Sequence, residues 1–156
     1  MSKYPLVEVT AQPFAFVKRR TSMDEIPKAM EEGFTALMTA LGTGGITPAG
    51  MPFCHYISWD EKSANFELGF PIAKKDVGAA REAGLEIGTT VGGRVMKALH
   101  IGPYDTLGQT YEKMMGEIEA EGLEGASDMW EAYFSPPETP PAKIKTEVYW
   151  PVKQAA

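Results

Sequence analysis

Residues 65–72 read NFELGFPI, and 80 positions further along the chain writes nearly the same strand as EVYWPV. Glu67, Leu68, Phe70, Pro71 and Ile72 shift onto Glu147, Val148, Trp150, Pro151 and Val152. A shift of 81 residues carries Ile26, Met30, Phe34 and Leu37 onto Leu107, Tyr111, Met115 and Ile118. Two long segments that keep nearly one offset mark an internal duplication.

Both helical segments have apolar residues at three- and four-residue steps. In the first, Ser22 and Glu25 have capping-box spacing, Leu41 extends the stripe, and Gly42, Gly44 and Gly45 supply the stop. In the second, Pro103 lies near the start, and Gly122 and Gly125 follow the last periodic residue. Strands are predicted at 13–20, 53–59 and 65–72 around the first helix, and at 93–101, 129–134 and 143–152 around the second. The order strand–helix–strand–strand therefore occurs twice. The expected fold is α+β: one domain over 1–156, with module one at about 6–72, a connector at 73–92 and module two at about 93–153.

The 156 residues are 44% hydrophobic and 23% charged, an ordinary globular composition. A net charge of −6 argues against non-specific nucleic-acid binding, and the basic run Lys18, Arg19, Arg20 reads as a solvated strand end. Cys54 is the only cysteine, so no intrachain disulfide is available. The start shows no signal-peptide pattern, and no stretch approaches the ~20 apolar residues of a spanning helix. A cytoplasmic location is expected.

Strand alternation sorts side chains by face. Thr146, Val148 and Trp150 share one face, as do Phe66, Leu68 and Phe70; Trp130, Ala132 and Phe134 form a third bulky set. Each of these is expected to meet a helix. The opposite faces carry Glu147 with Tyr149, Glu67 with Gly69, and Met129 with Glu131 and Tyr133. Those faces either meet water or, if the halves join into one sheet, line a shared concave cleft with aromatic walls and a few acids. Glu131, between Trp130 and Tyr133 in MWEAYFSPPETPP (129–141), raises the sharpest question, because an ion is costly to bury unless something pairs with it.

The pieces FELGFPI (66–72), HIGPYDTLGQTY (100–111), WEAYFSPP (130–137) and TEVYWPV (146–152), in this order, resemble the GyrI-like, effector-binding domain family. That family includes the ligand-sensing domains of AraC-type and multidrug-responsive MerR-type regulators and stand-alone proteins. The resemblance implies pseudo-twofold modules sharing an antiparallel sheet, with a ligand groove between the halves. It implies a pocket glutamate at Glu131 that meets lipophilic, often cationic compounds, with Tyr104, Glu147 and Tyr149 also matching pocket positions. Tyr56 falls on the corresponding strand of the first half, and Tyr133 shares the strand face of Glu131. Without a partner, such a carboxylate has a raised pKa; a delocalised cation would stabilise its ion, and aromatic faces would add cation–π attraction. The structural alternatives are a permanent hydrogen bond to Tyr104 or Tyr149, or simple exposure.

One branch of the family resembles hydrolases that open cyclopropane rings of DNA-alkylating toxins. There Glu131 would activate water and Tyr104 or Tyr133 would donate a proton. Other stand-alone members resemble DNA gyrase inhibitors that protect against toxins, which would imply a protein partner. No helix-turn-helix segment is recognised, so direct DNA binding is not expected. No cofactor or metal is implied: Cys54 and His55 point to opposite faces of a strand, and two histidines with one cysteine make a poor zinc set. His100 reads as a strand-end hydrogen-bonding residue. GTGGITPAG and GTTVGG lack the P-loop Lys-Ser/Thr and read as connections.

Overall fold

A computed structural model describes residues 4–103, 106–135 and 139–154. The chain divides into two compact units, residues 11–90 and residues 1–10 with 91–156. The architecture is α+β, and each unit repeats one plan.

The first unit holds β2 (Pro13–Ser22), α1 (Ile26–Gly44), β3 (Phe53–Trp59), β4 (Ser63–Pro71), α2 (Val77–Glu82) and β5 (Glu86–Thr89). Its strands lie in the order β3–β4–β2–β5, all antiparallel. Val17, Leu68 and Cys54 form one cross-strand row, and Arg19, Phe66 and Tyr56 form the next. Helix α1 packs on this face so closely that a Cβ at Gly33 would sit 2.7 Å from Leu68 Cδ1. Leu37 and Leu41 join Ala15, Ile46, Ile72, Ala80 and Leu85 in the core beneath it. Gly45, in the left-handed conformation at φ 64°, closes the helix with its N–H on the carbonyls of Leu41 and Gly42.

The second unit holds β1 (Leu6–Val9), β6 (Gly93–Ile101), α3 (Leu107–Ala120), β7 (Leu123–Gly125), β8 (Met129–Tyr133) and β9 (Lys145–Gln154). Its order is β8–β9–β6–β1, again antiparallel, with β7 extending the ladder on β9. Ala98, Val148 and Glu131 form one row; His100, Thr146 and Tyr133 form the next. Leu107, Thr110, Met114 and Ile118 are the buried stripe of α3.

Several local expectations change. Ser22 pairs with Ser63 as the last residue of β2, and a 3-10 turn (Met23–Glu25) precedes α1, so Ser22 makes no side-chain capping bond. Residues 73–92 are not a bare connector, because they form α2 and β5. Residues 6–9, counted with module one in the sequence reading, form a strand that pairs with β6. It takes in the second unit the place that β5 takes in the first. On α3, Met115 is exposed and Met114 is buried. No helix among the described residues is long and apolar enough to cross a membrane.

Candidate functional site

Glu131 stands in the row with Val148 and Ala98, the face that α3 covers. It is 4% exposed. Both carboxylate oxygens are taken: the Tyr133 hydroxyl donates to Oε1 at 2.7 Å, and the Tyr111 hydroxyl donates to Oε2. Tyr133 lies on the same strand face two residues away, whereas Tyr111 reaches down from α3. Its ring stands edge-on to Trp150, with centroids 6.4 Å apart. Burial pushes the Glu131 carboxyl from 4.5 up to about 7, and the Tyr133 hydrogen bond only partly opposes this. Near neutral pH the group is thus divided between acid and carboxylate.

The next row fixes the helix that carries Tyr111. His100 is buried, and its Nδ1 lies 2.8 Å from Thr110 Oγ1. Its Nε2 lies 3.1 Å from the Pro103 carbonyl and 3.0 Å from Thr106 Oγ1. A carbonyl only accepts, so the contact with Pro103 needs a proton on Nε2. These bonds tie the first turn of α3 and the loop before it to β6. Glu131, its two tyrosines, His100 and the threonines make a polar layer inside an otherwise apolar helix–sheet contact.

The first unit shows what this contact looks like without the acid. Equal rows match Glu131 to Cys54, Tyr133 to Tyr56, His100 to Arg19 and Thr146 to Phe66. The 81-residue helix shift, which also carries buried Gly33 and Leu37 onto buried Met114 and Ile118, matches Tyr111 to Met30. The same module therefore closes over a thiol and a methionine. Closing it does not require an acid.

Expected site residues do not all gather here. The bulky-face rule put Glu131 and Tyr133 with Glu147 and Tyr149, but Glu131 pairs with Val148 rather than Glu147. Glu147 and Tyr149 therefore lie on the opposite face, together with Trp130 and Ala132. There Glu147 already has a cation: Lys97 Nζ is 3.0 Å from Oε2, and the Tyr149 hydroxyl donates to Oε1 at 2.7 Å. The ammonium also stands 5.7 Å from the Tyr149 ring centroid. Burial first, then Glu147, holds the Tyr149 hydroxyl well above its usual range. Tyr56 lies in the first unit, and Tyr104 falls outside the described residues. Of the tyrosines named as structural partners of Glu131, Tyr149 is not one.

Sequence reasoning missed Tyr111, which it read as part of a core stripe. A tyrosine there, rather than leucine, was the available signal that a hydroxyl needs a partner. Two surface recesses lie elsewhere. One of about 510 Å³ runs along the charged outer side of α1 at Lys28, Glu31 and Glu32. The other, about 290 Å³, is lined by Leu99, Phe134, Lys145 and Glu147.

The sequence profile of the GyrI-like small molecule binding domain matches residues 2–153. The chain belongs to this family. Among curated proteins none matches it by sequence. Solved structures with this GyrI-like fold include a hydrolase from Listeria innocua, 19% identical over 97% of this chain and 92% of that one, TM-score 0.66. The EcmrR C-terminal domain is 20% identical over 99% and 100% of the two chains, TM-score 0.69. SAV2435, solved bound to tetraphenylphosphonium, is 13% identical over 97% and 94%, TM-score 0.68. At these identities the likeness is one of fold.

Proposed function

We propose that this GyrI-like protein captures lipophilic organic cations, as a sensor or a sequestering agent, with Glu131 as the group that meets the positive charge. One observation carries the reading: a carboxyl is buried under α3 with two tyrosine hydroxyls, in a module whose duplicate closes over Cys54 and Met30. Keeping an ionised carboxylate there costs about 3 kcal/mol, from ~1.4 kcal/mol per pH unit between 4.5 and about 7. A delocalised cation at that point offsets the cost, and the rings of Tyr111, Tyr133 and Trp150 supply apolar and cation–π contact. To reach Oε2 a ligand displaces the Tyr111 hydroxyl. The tetraphenylphosphonium complex of a protein with the same fold supports the choice of ligand class.

Titration with tetraphenylphosphonium, followed by tryptophan fluorescence, tests the reading. Wild-type protein should bind, and Glu131→Gln should weaken binding at pH 8 by tenfold or more. Equal affinity would remove Glu131 from the role, and no binding of any lipophilic cation would remove the function.

A second reading uses the same carboxyl. A group that titrates near 7 between two phenols is suited to general acid–base work, so Glu131 would activate water for hydrolysis of a strained ring, with Tyr133 or Tyr104 as proton donor. Turnover of a cyclopropane-bearing alkylator, lost in Glu131→Gln, would support it; stoichiometric binding without product would favour capture.

A further inference from the structure

We infer that the first unit carries a second binding surface, a strip of aromatic rings ending at Trp59 that takes a flat, uncharged aromatic group. A bulge in β3 creates it. Tyr56 pairs with Phe66, but the next paired residue is Ser58, opposite Asn65, so Ile57 has no partner on β4. That extra residue turns the strand by one position, and Trp59 lands opposite Ala64 on the face of Tyr56 and Phe66. In a regular strand Trp59, three residues on, would face the other way.

The three rings grade from core to solvent. Phe66 is buried, Tyr56 is half-buried with its centroid 5.8 Å from that of Phe66, and Trp59 stands edge-on to Tyr56 at 6.3 Å and 77°. Trp59 is 48% exposed, whereas Cys54, Phe66 and Leu68 on the same face are buried. Its cross-strand neighbour is the small Ala64, so no tall side chain rises beside it on β4. The other two tryptophans, Trp130 and Trp150, are buried.

Charge sets the ligand class. The place of Glu131 is taken here by Cys54, a neutral group, and the row of Tyr56 and Phe66 ends at Arg19. A cation finds no carboxylate in these two rows, whereas a flat neutral ring gains stacking and the removal of Trp59 from water. In the second unit β8 ends at Tyr133, the match of Tyr56.

N-phenyl-1-naphthylamine, uncharged and fluorescent when bound, is the probe. Wild-type protein should raise its emission, Trp59→Leu should weaken the affinity tenfold or more, and Trp59→Phe should stay within threefold. In wild-type protein labelled with 5-fluorotryptophan, the probe should shift the Trp59 resonance more than those of Trp130 and Trp150, a reading that needs no variant to fold. Affinity within twofold in Trp59→Leu, a larger shift at Trp130 or Trp150, or no probe binding by the wild type would each overturn the inference. Cation capture at Glu131 is read by tetraphenylphosphonium and stands or falls separately.

Discussion

Replacing Glu131 by glutamine should make the protein more stable at alkaline pH and leave its stability at acid pH nearly unchanged. Glutamine keeps the volume, accepts from Tyr133 and never ionises. In the unfolded chain the carboxyl titrates near 4.5, and in the folded protein near 7. Between those values the native state holds more protons than the unfolded one, so this group makes wild-type stability fall as pH rises. The penalty is absent below pH 4.5 and complete above pH 7, where it reaches about 3 kcal/mol. The stability difference between variant and wild type should thus grow by about that amount from pH 4.5 to pH 8. At ~2–4 °C per kcal/mol for a chain of this size, the melting temperatures should separate by roughly 6–12 °C. Urea unfolding of both proteins at the two pH values measures it, and taking the difference cancels every other titrating group. Parallel pH profiles would refute the claim that Glu131 is buried without a fixed counter-ion.

Three further substitutions probe the same geometry. Tyr111→Phe removes a donor to the carboxylate, a bond of about 1.5–3 kcal/mol, so the Glu131 midpoint should rise by roughly one to two pH units. A carbon-13 titration of the Glu131 side chain would read it, and an unmoved midpoint would deny the contact. Glu147→Gln should leave tetraphenylphosphonium affinity within twofold, because Lys97 already neutralises that carboxylate on the other face; a tenfold loss would move the site there. Gly69→Ala would place a Cβ 2.2 Å from the Ala15 carbonyl oxygen and 2.7 Å from Phe16 Cβ, so it should cost at least about 3 kcal/mol by urea unfolding. A neutral effect would contradict the β2–β4 register.

The duplication was legible because it lies in long, periodic segments. The Glu67–Ile72 and Glu147–Val152 strands and the two helical stripes keep their offset through the sequence. Strands β1 (LVEV) and β5 (EIGT) were not seen, since four residues beside proline or glycine carry little periodicity and owe their pairing to β6 and β2. Alternation correctly grouped Met129, Glu131 and Tyr133, yet it could not say which face of β9 they join. Register decides that, and bulk misled: Trp130 and Ala132 are buried on the side away from α3. Glu131 itself was legible as an ill-fitting acid in an aromatic run. Its bond to Tyr111 was not, because it spans two elements whose packing the sequence does not display. The bulge at Ile57 left no mark at all in the pattern FCHYISW.

Proton release on cation binding tests the central claim most directly. If a cation stabilises the ionised form of a carboxyl that titrates near 7, calorimetry of tetraphenylphosphonium binding at pH 7 in two buffers of different ionisation enthalpy should show about 0.5 proton released per cation. The release should rise toward one at pH 6, fall toward zero at pH 8, and vanish in Glu131→Gln. Binding with no proton released at any of these pH values, or with the same release in the glutamine variant, would contradict the account.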